Sequence, residues 1–334
     1  MDNFFVGSKC KLKKRIIIYG LGANFKKYYT ERIGDALEEH FDVVGMVDKN
    51  IATLKNFYQE RYEGYNSIPD REYDYICITP FAVYQEIKDE LVLQGVDSDR
   101  ILPRNYWNEF CQMVYFPLDR LGGKGVEIGG PSGIFEVVYN RCDACDGVNY
   151  AAETVWNDNT NPNYLWADKV LGNQIIADAT DLREIENETY DFVLSSNNLE
   201  HIANPLKAIS ECLRILKPGG VFIILVPCKK YTFDHKREDT SFEHLLADYQ
   251  NDIGEDDMTH LPEILEKHDL SMDLPAGTIE QFRERSMNNE QNRCLHHHVF
   301  SSKVLNEIAS YFELDVLENT EFNKNYYLAV TKRG

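Results

Sequence analysis

The chain has no apolar run of the ~18 residues that a membrane helix requires, so no segment reads as a membrane span. It lacks a basic excess: 35 Lys and Arg stand against 55 Asp and Glu, for a net charge of −20. A surface of that sign repels phosphate backbones and anionic bilayers, which argues against binding duplex nucleic acid and against adhesion to an anionic membrane, as the missing apolar run argues against membrane insertion. It lacks a cysteine framework. The eight cysteines are scattered, and Cys142 and Cys145 form a C-x-x-C with no second pair to complete a zinc site. Cys77, Cys212 and Cys228 sit in apolar contexts and read as small core residues. That usage suits a reducing compartment, and the expected location is cytoplasmic. Met1–Val6 is too short and too polar for a signal h-region. No internal repeat or low-complexity tract is present. Tryptophan is scarce, yet the chain is 43% hydrophobic and 12% aromatic, which supplies full cores. A length of 334 residues suits two domains.

The first domain, residues 1–110, opens with a short basic cluster, Lys9, Lys11, Lys13, Lys14 and Arg15, which reads as a solvated arm. Apolar strands follow at 15–19, 43–47 and 75–79, with helical runs at 26–40 and 83–93. Alternating strands and helices imply a parallel α/β sheet of half-Rossmann size. Gly20-Leu21-Gly22, with Asp48 ending strand two, has part of the dinucleotide fingerprint. Phe25 stands where its third glycine belongs. The second domain, 111–334, has strands near 125–129, 145–149, 174–178, 190–195 and 220–227. A helix over Pro205–Leu216 carries an apolar stripe at Leu206, Ile209, Leu213 and Leu216. Pro218-Gly219-Gly220 stops it. Two last runs, 313–319 and 325–332, predict a hairpin around Asn323. The acidic segment 229–297 is too long for a plain crossover. It is expected to be a mostly helical cap.

The most informative stretch is Val126-Glu127-Ile128-Gly129-Gly130-Pro131-Ser132-Gly133. It reads as a buried strand, a turn nearly free of side chains, and a helix start. Glycines there admit a ligand to the backbone, and the helix N-terminus offers free N–H groups. Downstream stand Asp178-Ala179, the strand 190–194, Leu199-Glu200-His201, and Leu213 through Gly220. In this order and spacing residues 120–334 resemble a class I S-adenosylmethionine (SAM) methyltransferase. The resemblance implies an α/β fold: a seven-stranded Rossmann-like sheet with a helical cap, preceded by the smaller half-Rossmann domain. It implies SAM as cofactor, with Glu127, Gly129, Gly130, Gly133, Asn149, Asp178, Ala179 and Ser195 around it. Pro131 departs from the family's middle glycine, and Asn149 from its ribose-binding acid.

Glu200 and His201 have two readings. They brace the start of a helix, or they act in catalysis. Asn197, Glu200 and His201 at i, i+3 and i+4 share one helical face. The metal-dependent small-RNA 2′-O-methyltransferases carry a similar Glu-x-x-Glu-His and a distant His-x-Phe, here His298-Val299-Phe300. That likeness implies Glu200, His201 and His298 as catalytic residues. It implies Asn197, Glu200, His201 and His298 as ligands of Mg²⁺ or Mn²⁺, with Asn197 lacking the family's charge. Eight of nine histidines follow residue 200. His235, Arg237 and His244 are candidate substrate contacts, Arg237 as a clamp on phosphate or carboxylate. His244 and Asp248 lie one helical turn apart.

The expected activity is SAM-dependent O-methylation of a small hydroxylated acceptor. The cap resembles a methyltransferase subgroup encoded with glycan-assembly enzymes, which implies a sugar or sugar nucleotide in surface-glycan biosynthesis. The first domain resembles nucleotide-sugar-binding domains of sugar-modifying enzymes, or is a docking or dimerisation module. The alternatives are a bifunctional enzyme that also binds or modifies a nucleotide sugar, and a non-catalytic scaffold.

Overall fold

Ile16, Ile17 and Ile18 form a strand with no polar position, which requires cover on both faces. In the computed structural model, which describes residues 13–49, 62–63, 68 and 72–334, all three are fully buried. Lys9 and Lys11 of the basic arm lie outside the described residues. The chain divides into two units, Met1–Phe116 and Pro117–Gly334.

The first unit holds β1 (Lys14–Tyr19), β2 (Phe41–Val47), β3 (Tyr62–Glu63) and β4 (Tyr75–Ile78) in a parallel sheet of order β3-β2-β1-β4. Its helices are α1 (Ala23–Tyr28), α2 (Glu31–His40), α3 (Tyr84–Leu93) and α4 (Tyr106–Tyr115). The single helix expected over 26–40 is two. Thr30 is extended, and its side chain accepts a hydrogen bond from Ile33 N at 3.3 Å, capping α2.

The second unit holds β5 (Lys124–Ile128), β6 (Ala144–Asn149), β7 (Asn163–Trp166), β8 (Lys169–Ile176), β9 (Tyr190–Ser196), β10 (Leu216–Pro227), β11 (Asp315–Phe322) and β12 (Asn325–Thr331). Its helices are α5 (Glu136–Tyr139), α6 (Pro205–Ile215), α7 (Phe242–Gln250), α8 (Leu261–Lys267), α9 (Ile279–Met287), α10 (Asn289–Asn292) and α11 (Ser302–Tyr311). The mixed sheet runs β11-β12-β10-β9-β5-β6-β8-β7. It has eight strands among the described residues, where seven were expected. The addition is β7, antiparallel to β8 at the edge. A two-residue turn at Ala167-Asp168 joins them, with Ala167 at φ 50°. Such turns usually carry glycine or asparagine, so the sequence holds no signal for this hairpin.

The last hairpin lies where expected. Asn323 and Lys324 take φ 51° and 66°, the pair of left-handed residues a two-residue turn needs. Strand β12 then runs antiparallel to β10. Helix α6 starts at Asn204, whose side chain accepts from Lys207 N at 3.1 Å, and it buries Leu206, Ile209 and Leu213 in the main core. The segment between β10 and α11 contains α7 to α10. It has a small core of its own at Ile264, Ala276, Phe282 and Leu295.

Candidate functional site

A cavity of about 700 Å³ opens at the carboxyl ends of β5, β6, β8, β9 and β10, the place where open α/β sheets hold ligands. The glycine turn after β5 forms one wall. Gly129 takes φ 81°, and a Cβ there would lie 2.6 Å from Asn198 Oδ1, so any other residue would be strained and would have to displace the Asn198 side chain. Gly129, Gly133, Asn149, Asp178 and Ala179 line the cavity, in the places the sequence suggests.

Three predicted residues lie behind that lining. Glu127 is fully buried. Its Oε2 accepts hydrogen bonds from the hydroxyls of Tyr139 and Tyr164, the latter at 2.6 Å. Burial pushes this carboxyl up to about 7. Tyr164 belongs to the unforeseen β7, which is why sequence reasoning aimed Glu127 at the ligand. Gly130 backs the same cluster: a Cβ would sit 2.1 Å from the Tyr164 hydroxyl. Ser195 is buried, and Ser196 lines the cavity instead. Neighbours on a strand face opposite ways, so one position decides this.

The Asn149 amide donates to Gly130 O at 3.1 Å, joining the ends of β5 and β6. Asp178 is partly committed. It accepts from Thr180 N at 2.8 Å and from Arg293 Nη2 at 2.9 Å. Burial favours the neutral acid, yet these bonds hold the carboxyl below its ordinary range. Arg293 also pairs with Glu255 at 2.8 Å. No sequence signal singled out this arginine.

The far wall holds Asn197, Glu200, His201 and His296. Asn197 takes φ 49°, and Leu199–His201 is a single 3₁₀ turn, not the α-helix that would have placed Asn197 and His201 on one face. Glu200 is 1% exposed, its Oε2 has no partner among the described residues, and burial pushes its carboxyl up to about 7. His201 Nδ1 lies 3.2 Å from Leu295 O, and burial pushes the ring well below its ordinary pKa. The third member is His296, not His298. Its ring stands 4.5 Å from that of His201, and its Nδ1 lies 2.5 Å from Asp234 Oδ2. Ligand atoms of Glu200, His201 and His296 all fall within 4.8 Å of one another.

Arg237 explains the register. It pairs with Asp234 at 3.1 Å and donates to the carbonyls of His296 at 2.7 Å and His297 at 3.0 Å. Its guanidinium is therefore a buried clamp on the chain, not a substrate contact. His297 N also donates to Glu200 O at 2.8 Å. These bonds turn His296 toward the cavity. His298 faces Asp248 at 3.0 Å, in a cluster with His244 and His260. Of the other substrate candidates, His235 pairs with Asp269 at 2.9 Å and His244 joins the His298 cluster, so neither lines the cavity.

In the first unit Asp48 Oδ2 accepts from Leu21 N at 2.7 Å, tying strand two to the glycine turn. Phe25 is fully buried, with its ring centroid 5.1 Å from that of Trp107, so the third fingerprint position belongs to the core. No helix among the described residues is long and apolar enough to cross a membrane.

Residues 126–224 match the model of a methyltransferase domain, and residues 12–102 match one described as C2185-like, N-terminal. No curated protein matches the chain. A methyltransferase of Haloferax volcanii, solved with the Trm112 methyltransferase activator, is 14% identical. The likeness covers 76% of this chain and 96% of that one, at a TM-score of 0.41. An S-adenosylmethionine-dependent methyltransferase of Clostridium acetobutylicum is 12% identical, covering 76% and 99%, with a TM-score of 0.41. A SAM-dependent methyltransferase of Methanosarcina mazei is 14% identical, covering 63% and 92%, with a TM-score of 0.37. Residues 126–224 thus carry a methyltransferase domain. The cavity would suit the polar cofactor SAM: Asn198 and Glu200 are among its lining residues, and the Asn198 amide nitrogen and Glu200 Oε2 are buried without protein partners among the described residues.

Proposed function

We propose that this protein methylates a hydroxyl of a small acceptor, a sugar or sugar nucleotide of surface-glycan assembly. One observation carries the reading: a carboxyl and two imidazoles converge on the cavity wall formed by Glu200, His201 and His296. A hydroxyl attacks a methyl carbon only as its proton departs, so an O-methyltransferase needs a base within hydrogen-bond reach. His296 suits that role. Asp234 occupies Nδ1 and leaves Nε2 for the acceptor proton, while Arg237 fixes Asp234 from behind.

SAM supplies the methyl group and leaves as S-adenosylhomocysteine when the carbon–sulfur bond breaks. The chain's residues do the rest. The Gly129–Gly133 turn would hold the methionine part of SAM, and Asn149 and Asp178 would hold its adenosine. His296 takes the acceptor proton, and Glu200 steadies the imidazolium that forms. The same side chains are also a ligand set of one carboxylate and two nitrogens, with Asn197 on the same wall. Mg²⁺ or Mn²⁺ held there would lower the pKa of the acceptor hydroxyl, with His296 then a ligand and not the proton acceptor. We further propose that the first unit binds or modifies a nucleotide sugar, or serves as a docking or dimerisation module.

Turnover tests the reading. The chain is incubated with SAM and a panel of nucleotide sugars and free glycans, and methylated product is followed by mass spectrometry. Transfer to a hydroxyl supports it. Transfer confined to amines or carbon acids rejects it. Titration with S-adenosylhomocysteine separates an active pocket from a scaffold. Full activity in excess chelator would leave proton transfer to the imidazole alone.

A further inference from the structure

Four side chains away from the cavity converge on one point. His244 and Asp248 lie one turn apart on α7, His260 precedes α8, and His298 comes from the extended chain before α11. His244 Nε2 is 3.2 Å from His260 Nε2 and 3.3 Å from Asp248 Oδ2. His298 Nε2 is 3.0 Å from the same oxygen. Ligand atoms of all four lie within 4.8 Å of one another.

Protons alone satisfy this cluster poorly. A neutral imidazole carries one ring proton. His244 Nε2 faces both an imidazole nitrogen and a carboxylate oxygen, and it can donate to one of them at most. A cation at the centre would engage all four groups at once. Tetrahedral zinc, with bonds near 2.0–2.1 Å, sets its ligand atoms about 3.3 Å apart. Three of the six pairs, at 3.2, 3.3 and 3.0 Å, match that spacing, and all six lie within 4.8 Å.

We propose that His244, Asp248, His260 and His298 bind a structural Zn²⁺ ion. Three imidazoles and one carboxylate suit zinc, and four protein ligands leave no open coordination position. The His244 side chain is 42% exposed, which leaves an entry path from solvent, whereas His298 is buried. The ion joins segments 244–248, 260 and 298, which helical hydrogen bonds do not connect. It therefore holds the chain two residues from His296.

The test uses the full chain, stripped with chelator and titrated with Zn²⁺ against a chromophoric competitor. His260→Ala and Asp248→Asn should each weaken one zinc equivalent by about a hundredfold or more, beyond the loss typical of an outer-shell partner. The double variant Glu200→Gln/His201→Ala should keep that equivalent, which separates it from the cavity cluster. Co²⁺ in its place should give the intense visible bands of tetrahedral coordination. His244→Ala, at an exposed position, serves if the other variants do not fold. The proposal is overturned if the wild type takes up no zinc, if His260→Ala or His244→Ala binds it as the wild type does, or if bound Co²⁺ shows an octahedral spectrum.

Discussion

His296 and His298 stand two residues apart, both buried, and each meets one aspartate. Asp234 serves His296 and Asp248 serves His298. Yet the two imidazoles shift in opposite directions. Burial disfavours the charged ring at both. At His296 the charges of Asp234 and Glu200 overcome it, and the pKa rises. At His298 the neighbours His260 and His297 oppose Asp248, and the pKa falls to about 4. The surrounding charges therefore send the two rings in opposite directions, although the residue type and the nearest partner type are the same.

The largest effect should come from His296→Ala, which removes the base and should lower turnover by about 10²–10⁴-fold. His298→Ala should lose far less activity while losing zinc. Equal losses in rate would break the contrast. Asp234→Asn comes next, with a loss on the order of 10²-fold as the imidazole loses its orienting partner. The aspartate also raises the His296 pKa, so the variant's base deprotonates at lower pH. The acidic limb of its rate profile should move down, and an unmoved limb would exclude His296 as the titrating group.

Stability offers a third measure. Glu200 titrates near 4.5 when unfolded and about 7 when folded. A raised carboxyl favours folding below the unfolded value, and that contribution is lost as pH rises through about 7. Above pH 7 the charge is buried at a cost. Glu200→Gln should then stabilise the fold by on the order of 1–3 kcal/mol in urea melts at pH 8, while turnover collapses. Glu127 is also pushed up to about 7. Its oxygen serves two tyrosines, so Glu127→Gln should gain less. The smallest effect is chelation of the wild type. It should lower the melting temperature by about 2–4 °C for each kcal/mol of zinc-binding free energy, and leave His260→Ala unmoved.

Much of this architecture was legible before folding. The apolar runs at 15–19 and 190–195 could only be covered strands, and the stripe on α6 could only face a core. Asn323 marked its hairpin because asparagine tolerates the left-handed region. Strand β7 was not legible, since Ala167 carries no turn signal. The site was half legible. Gly129, Gly133, Asn149, Asp178 and Ala179 sit where spacing along the strands puts them. Ser195 failed by one residue and His298 by two.

Local stereochemistry explains what the amino-acid order decided alone: where strands end, where glycine is obligatory, and that a carboxyl and an imidazole follow β9. Folding in three dimensions decided which histidine meets which acid. Asp234 lies 62 residues from His296, and Asp248 lies 50 from His298. No periodicity reaches across such distances. The bonds from Arg237 to the carbonyls of His296 and His297 set the register, and they exist only once the segment has packed.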